Sequence, residues 1–263
     1  MSDGLAGLDE FCARALADHG CASVSVAVAE RDEVVLARAY GTASVADRRP
    51  ATPETVYGLA SVTKAFTATA VCLAADEGLL DLDAPIPGSF RWTAPTPRQL
   101  LRHRGDLPAF YSFHYGNGPL PVGIDRYRTL VREPGTDFEY ANLGYHELGR
   151  VVEAVTGRDL GDHLRERIAE PLGLRGFAYG PAYDGPAPVA RRYSADGRAY
   201  ATCFSGHPAA TAGWATAGDV ALFARTASRL LKPATVAAMH DAVPISEHLG
   251  TGSAGSHRAA PDR

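Results

Sequence analysis

A chain of 263 residues with 46% hydrophobic and 21% charged side chains can bury a sizeable core, as one large domain or two lobes. Its net charge of -4 offers no broad attraction to polyanions, which excludes nucleic acid as the expected partner. The first twenty residues carry Asp3, Asp9, Glu10 and Asp18, with neither a basic leader nor an apolar run of membrane-span length, so a cytoplasmic location without a membrane partner is expected.

Taken in chain order, Leu5, Leu8, Phe11, Cys12, Ala15 and Leu16 recur at steps of three and four, which predicts an amphipathic helix over 5–18 with these residues on one stripe. Ser23–Ala29 and Val34–Tyr40 are valine-rich and flank the polar Glu30-Arg31-Asp32-Glu33, the pattern of two antiparallel strands and a turn. After a Pro-containing loop, Ser61 to Glu77 is alanine-rich, free of proline and ends near Gly78, predicting a buried helix. Residues 84–97 hold Pro85, Pro87, Pro95 and Pro97 and should be irregular until Arg98-Gln99-Leu100-Leu101 starts a short helix. Tyr111 to Gly123 reads as a loop, Asn142–Thr156 as a helix ended by Gly157, and Leu160–Ile168 as another that stops near Pro171. Ala199–Phe204 and Ala212–Thr216 could return to the sheet, Val220–Leu231 and Ala234–His240 look helical, and 241–263 resembles a flexible tail.

Among 26 basic residues there are two lysines, and one of them, Lys64, stands three residues after Ser61 in Ser61-Val62-Thr63-Lys64. A desolvated lysine can surrender its proton and arginine cannot, so of the two basic residue types lysine alone can act as base beside a nucleophile. At i and i+3 of one helix the two side chains share a face. Ser61 would occupy the first turn, where unpaired N–H groups favour developing negative charge. A serine hydroxyl still needs a second polar group near an amine whose pKa burial has depressed. Tyr140-Ala141-Asn142 supplies a phenol and an amide, and Tyr115-Gly116-Asn117 repeats the spacing. Tyr140 is preferred because Pro134-Gly135 sets a turn before it and a helical pattern follows. Cys12, Cys21, Cys72 and Cys203 lack C-x-x-C spacing and no histidine falls in H-E-x-x-H, so free thiols, no metal and no organic cofactor are expected.

Over residues 20–240 the chain resembles the serine β-lactamase and penicillin-binding-protein superfamily, most closely its class C branch with related esterases and D,D-peptidases. The resemblance runs through GLASVTKAFTATAV, EGLLDLDAPI, LLRHRGDLP, PGTDFEYANLGYHELGRVVEAVTG, EPLGL and TAGWATAGDVALFAR in that order. It implies an α+β fold of β-lactamase/transpeptidase type: a single domain over 1–263, with a sheet lobe from about 1–60 and 199–240 and a helical lobe at about 61–198. It further implies Ser61 as acylated nucleophile, Lys64 and Tyr140 as a shared acid–base apparatus, Asn142 as a positioning amide, and the Ser61 backbone N–H as one oxyanion donor. A second donor should come from a K-T-G or H-x-G strand. His248-Leu249-Gly250 fits H-x-G, but the 23 residues after His240 are few for the remaining strands and closing helix. The expected activity is acyl transfer through acyl-Ser61 on a small-molecule ester, amide or β-lactam, by an esterase, amidase or β-lactam hydrolase-like enzyme. A biosynthetic acyltransferase and a weakly active or inactive binding scaffold are the alternatives.

Overall fold

A computed structural model describes residues 7–109, 113–115, 127–194, 196–200 and 203–241. Helix α1 (Leu8–His19) carries Asp9 and Glu10 in its positive first turn and ends at Gly20, whose φ of 61° is left-handed. The expected apolar stripe is rotated: Cys12 is buried, whereas Phe11 is 62% exposed. The Asp9 carboxylate, itself exposed, accepts hydrogen bonds from Tyr40 (2.6 Å) and Arg38 (2.8 Å) and so joins α1 to the strand that carries them, along the edge next to buried Cys12.

Strands β1 (Ser23–Glu30) and β2 (Glu33–Ser44) form an antiparallel hairpin, Ser23 opposite Gly41 and Glu30 opposite Glu33, with Arg31 left-handed at φ 55° in the turn. Gly41, at φ 80°, is required there, since a Cβ would collide with the Ala22 carbonyl oxygen. Strand β3 (Arg49–Pro50) extends the pairing from the end of β2. After β4 (Tyr57–Gly58) the chain makes one 3-10 turn, Ala60–Val62, and enters α2 (Thr63–Asp76). Helix α2 buries ten of its fourteen side chains, so it has no broad solvent face and runs through the core. Its Phe66 ring stacks between Phe223 and Phe177 at centroid distances of 3.8 and 4.5 Å.

Helix α3 (Pro97–Leu101) starts in a capping box, Thr96 with Gln99, and has Pro97 in its first turn. Strand β5 (Phe113–Tyr115) falls inside the stretch expected to be loop. Helix α4 (Asn142–Thr156) has the expected bounds and stops at left-handed Gly157. Helix α5 (Leu160–Leu164) continues through a wider turn, Arg165–Ala169, in which the Glu170 N–H reaches back five residues to the Arg165 carbonyl at 2.9 Å. The remaining elements are β6 (Ala178–Tyr179), β7 (Cys203–Ser205), α6 (Pro208–Thr211), β8 (Gly213–Ala215), α7 (Ala217–Thr226), a 3-10 turn at Ala227–Leu230, and α8 (Pro233–Met239).

Among the described residues the late strands do not rejoin β1 and β2: β8 lies between β4 and β6, and β7 pairs with β5. Gly213 fixes β8 in this place. Its carbonyl accepts the Leu59 N–H (2.8 Å) and its N–H donates to Thr63 Oγ1 (2.9 Å), which ties β8 to the turn before α2. Helix α7 then packs against β1 and β2. No helix among the described residues is long and apolar enough to cross a membrane. Cys12, Cys21 and Cys72 are free thiols.

Candidate active site

Ser61 sits in the 3-10 turn immediately before α2, and its hydroxyl is exposed. Ala60, before it, is held at φ 46°, a left-handed conformation uncommon for a residue with a Cβ. One helical turn on, Lys64 is 6% exposed and points its amine back at Ser61, with Nζ 3.1 Å from Oγ. The same Nζ lies 2.8 Å from Asn142 Oδ1 and 3.3 Å from the Ala210 carbonyl. Both of these oxygens can do nothing but accept. A neutral amine has two N–H bonds and one lone pair, so donating to the two carbonyls aims the lone pair at the Ser61 hydroxyl.

On the other side of the serine, Tyr140 OH donates to Ser61 Oγ at 2.9 Å. The Lys64 amine lies 4.8 Å from the Tyr140 ring centroid and 5.6 Å from that of Tyr145, so aromatic faces wall it on two sides. Tyr145 is buried and donates to the Leu101 carbonyl (3.1 Å); burial pushes its phenol up, so it serves as a wall. Burial lowers the Lys64 pKa from its ordinary value, against the opposing pull of Tyr140. Burial works upward on the Tyr140 phenol, but Lys64 and Ser61 together outweigh it and hold the phenol below its ordinary value. The site thus combines an amine more easily deprotonated and a phenol more easily ionised than in water, both touching one hydroxyl.

The supports come from three helices. α2 carries Lys64, and α4 begins with Asn142, which is 2% exposed. α6 supplies backbone carbonyls, Ala210 to Lys64 and Ala209 to Thr67 Oγ1 at 2.7 Å. A cluster braces α6: the Ser205 hydroxyl lies 2.6 Å from His207 Nδ1 and accepts from Thr211 Oγ1 (2.8 Å) and from the His207 N–H (3.1 Å). Burial drives the His207 pKa to about 4. The His103 ring lies 4.4 Å from the Tyr140 ring, and burial and the Lys64 charge lower its pKa to about 4.

Of the residues singled out in the sequence, Ser61, Lys64, Tyr140 and Asn142 come together. Tyr115 belongs to the backbone of β5, and Gly116 and Asn117 fall outside the described residues, as do His248 and Gly250. The α6 carbonyls and His103 were not anticipated. A backbone carbonyl leaves no mark in a sequence, while His103 stands in plain view in Leu100-Leu101-Arg102-His103 without a partner at a telling spacing. Among the described residues no group of three or more His, Cys, Asp or Glu side chains could hold a metal ion.

A family model described as Beta-lactamase matches residues 8–260. A D-aminopeptidase of Brucella canis is 32% identical over 163 residues, which cover 57% of this chain and 32% of that protein. The D-amino acid amidase from Ochrobactrum anthropi SV3, solved with L-phenylalanine amide, superposes with a TM-score of 0.73 at 27% identity, covering 87% of this chain and 70% of its own. An octameric penicillin-binding protein homologue from Pyrococcus abyssi gives a TM-score of 0.70 at 27% identity, over 84% of this chain and 56% of its own. The chain therefore shares the fold of these proteins and spans about a third of the length of the curated relative it matches.

Proposed function

Because the chain belongs to the Beta-lactamase family, we propose that it is a serine hydrolase that transfers an acyl group through a covalent acyl-Ser61 intermediate. One observation carries the proposal: Ser61 Oγ is bracketed by Lys64 Nζ at 3.1 Å and Tyr140 OH at 2.9 Å, both within proton-transfer reach. Lys64 and Tyr140 act as one coupled acid–base unit that takes the hydroxyl proton as Oγ attacks the acyl carbonyl. The Ser61 N–H, in the first turn leading into α2, faces the developing oxyanion. Tyr140, the less buried member, returns a proton to the departing amine or alcohol, and the unit then activates water or another acceptor to release the acyl group. Asn142 and the Ala210 carbonyl keep the amine aimed at the serine throughout.

The similarity to a D-aminopeptidase and a D-amino acid amidase makes amides of D-amino acids the first substrates to assay, with activated esters and β-lactams after them. The test is intact-mass spectrometry after incubation with a fluorophosphonate and with a penicillin. The wild-type chain should gain the mass of at least one acyl or phosphonyl adduct, and Ser61→Ala should gain none. A wild type that reacts with neither probe, or an equal adduct on Ser61→Ala, defeats the proposal.

A further inference from the structure

Tyr140 can act on Ser61 only if its backbone is held, yet it sits in a loop at the entrance to α4. Ala141, the residue before that helix, has extended backbone (φ -124°, ψ 116°) and no side-chain cap, so its N–H lies outside the helical ladder. That N–H donates to His103 Nδ1 at 3.3 Å, and two residues earlier the Glu139 N–H donates to the His103 carbonyl at 2.8 Å. The same turn accepts further N–H groups from the loop, Gly135 at the Arg104 carbonyl and Val131 at the Asp106 carbonyl, each at 2.8 Å. Asp106 holds the far end of the loop by carbonyl and carboxylate, the latter accepting from Arg132 Nε at 2.6 Å, and His103 holds the end that carries Tyr140 by both backbone and side chain. Its ring also lies against Tyr140, tilted by 34°, and is flanked by Phe138 and Tyr145 at centroid distances of 5.8 and 5.2 Å.

To make these contacts His103 adopts a left-handed backbone, φ 53°, which residues with a Cβ hold only where their surroundings impose it. Accepting from Ala141 requires an unprotonated Nδ1 and places the ring proton on Nε2. Burial and the Lys64 charge keep the ring in that neutral form by lowering its pKa to about 4.

We infer that His103 is a positioning residue for Tyr140: through the Nδ1 lone pair that receives the Ala141 N–H, it fixes the 139–141 segment so that the phenol reaches Ser61. The inference builds on the acid–base role proposed for Tyr140. Two substitutions separate its parts. His103→Phe keeps a ring and loses the acceptor. His103→Asn loses the ring, places an amide oxygen where Nδ1 was, and tolerates the left-handed backbone.

The readout is the ionisation of Tyr140, followed by NMR in protein labelled at the tyrosine Cζ carbon, with Tyr140→Phe identifying the resonance. Wild type should titrate below the ordinary tyrosine value. His103→Phe should move Tyr140 up toward that value and slow acylation by a probe ester about ten-fold with KM changed less than about two-fold, because alignment and not binding is lost. His103→Asn should restore most of both. A Tyr140 titration unchanged in His103→Phe overturns the inference, and so does a His103→Asn shift as large as that of His103→Phe. Because the titration needs no turnover, a chain that shows these shifts yet never forms an acyl adduct would sink the proposed function and leave the positioning role standing.

Discussion

Helix α2 and the β1–β2 hairpin stand close together in the chain and meet water in opposite ways. α2 buries ten of its fourteen residues, Lys64 included, whereas the hairpin leaves Val28, Val34 and Val35 each 39% exposed. The contrast shows where chemistry is possible. An amine on the hairpin would stay hydrated and protonated, while an amine on α2 loses water on every side except toward Ser61, and desolvation lowers its pKa. The dry helix turns a lysine into a candidate base, and the wet hairpin tolerates apolar residues at its surface without penalty.

The sharpest way to break this contrast is Lys64→Arg. The substitution keeps the positive charge and removes any access to a neutral base, so acylation by an activated ester should fall by about a thousand-fold or more. Stopped-flow acylation rates decide it. A variant that retains a tenth of the wild-type rate would show that burial of the amine is not what drives the reaction.

The next effect concerns packing. Phe66→Ala would open a cavity between the Phe177 and Phe223 rings at a fully buried position, and should cost about 3–5 kcal/mol in urea unfolding. Val35→Thr on β2, measured in the same way, should stay within about 0.5 kcal/mol. Similar losses in the two variants would mean that the hairpin is as tightly built as the helix and that the contrast in burial carries no energetic meaning.

Much of this half of the molecule was legible in the sequence because it is punctuated by local chemistry. Gly157 ends α4, Gly20 ends α1, and the three-residue spacing of Ser61 and Lys64 survives as one helical turn even though Ser61 lies in a 3-10 turn. The proline-broken stretch before α3 likewise announced where the short helix could begin. What stayed hidden depends on partners distant in sequence. Strands of two or three residues, such as β4, β6 and β8, are too short to show a period, so their pairing is set by Gly213 and Thr63 and not by alternation. Phe11 satisfied the apolar period of α1 and still faces solvent, while the helix docks by the side that carries Cys12 and reaches Tyr40 and Arg38 through Asp9. The Ala210 carbonyl that helps to aim Lys64 has no side-chain signature at all.

A more gradual effect concerns α6, the segment that offers that carbonyl, and it is read as a dependence of stability on pH. His207 is fully buried, and the Ser205 hydroxyl beside its Nδ1 already accepts from the His207 N–H and from Thr211, so its own proton is best donated to a neutral ring. Burial lowers the imidazole pKa from 6.5 to about 4 on folding. As the pH drops below 6.5 the unfolded chain takes up this proton and the folded chain does not, so the unfolded state binds more protons and stability declines. The contribution is complete above 6.5, shrinks as the pH falls toward 4, and amounts to roughly 3 kcal/mol at most. His103, also lowered to about 4, adds a loss of the same sign. Urea midpoints measured between pH 7 and 4.5 should decrease, and His207→Asn, which keeps a polar group beside Ser205 but cannot titrate in this range, should flatten the decline by about one proton's worth. An unchanged slope in that variant would mean that water reaches the ring in the folded protein, and that the Lys64 side of α6 is wetter than the burial of its neighbours implies.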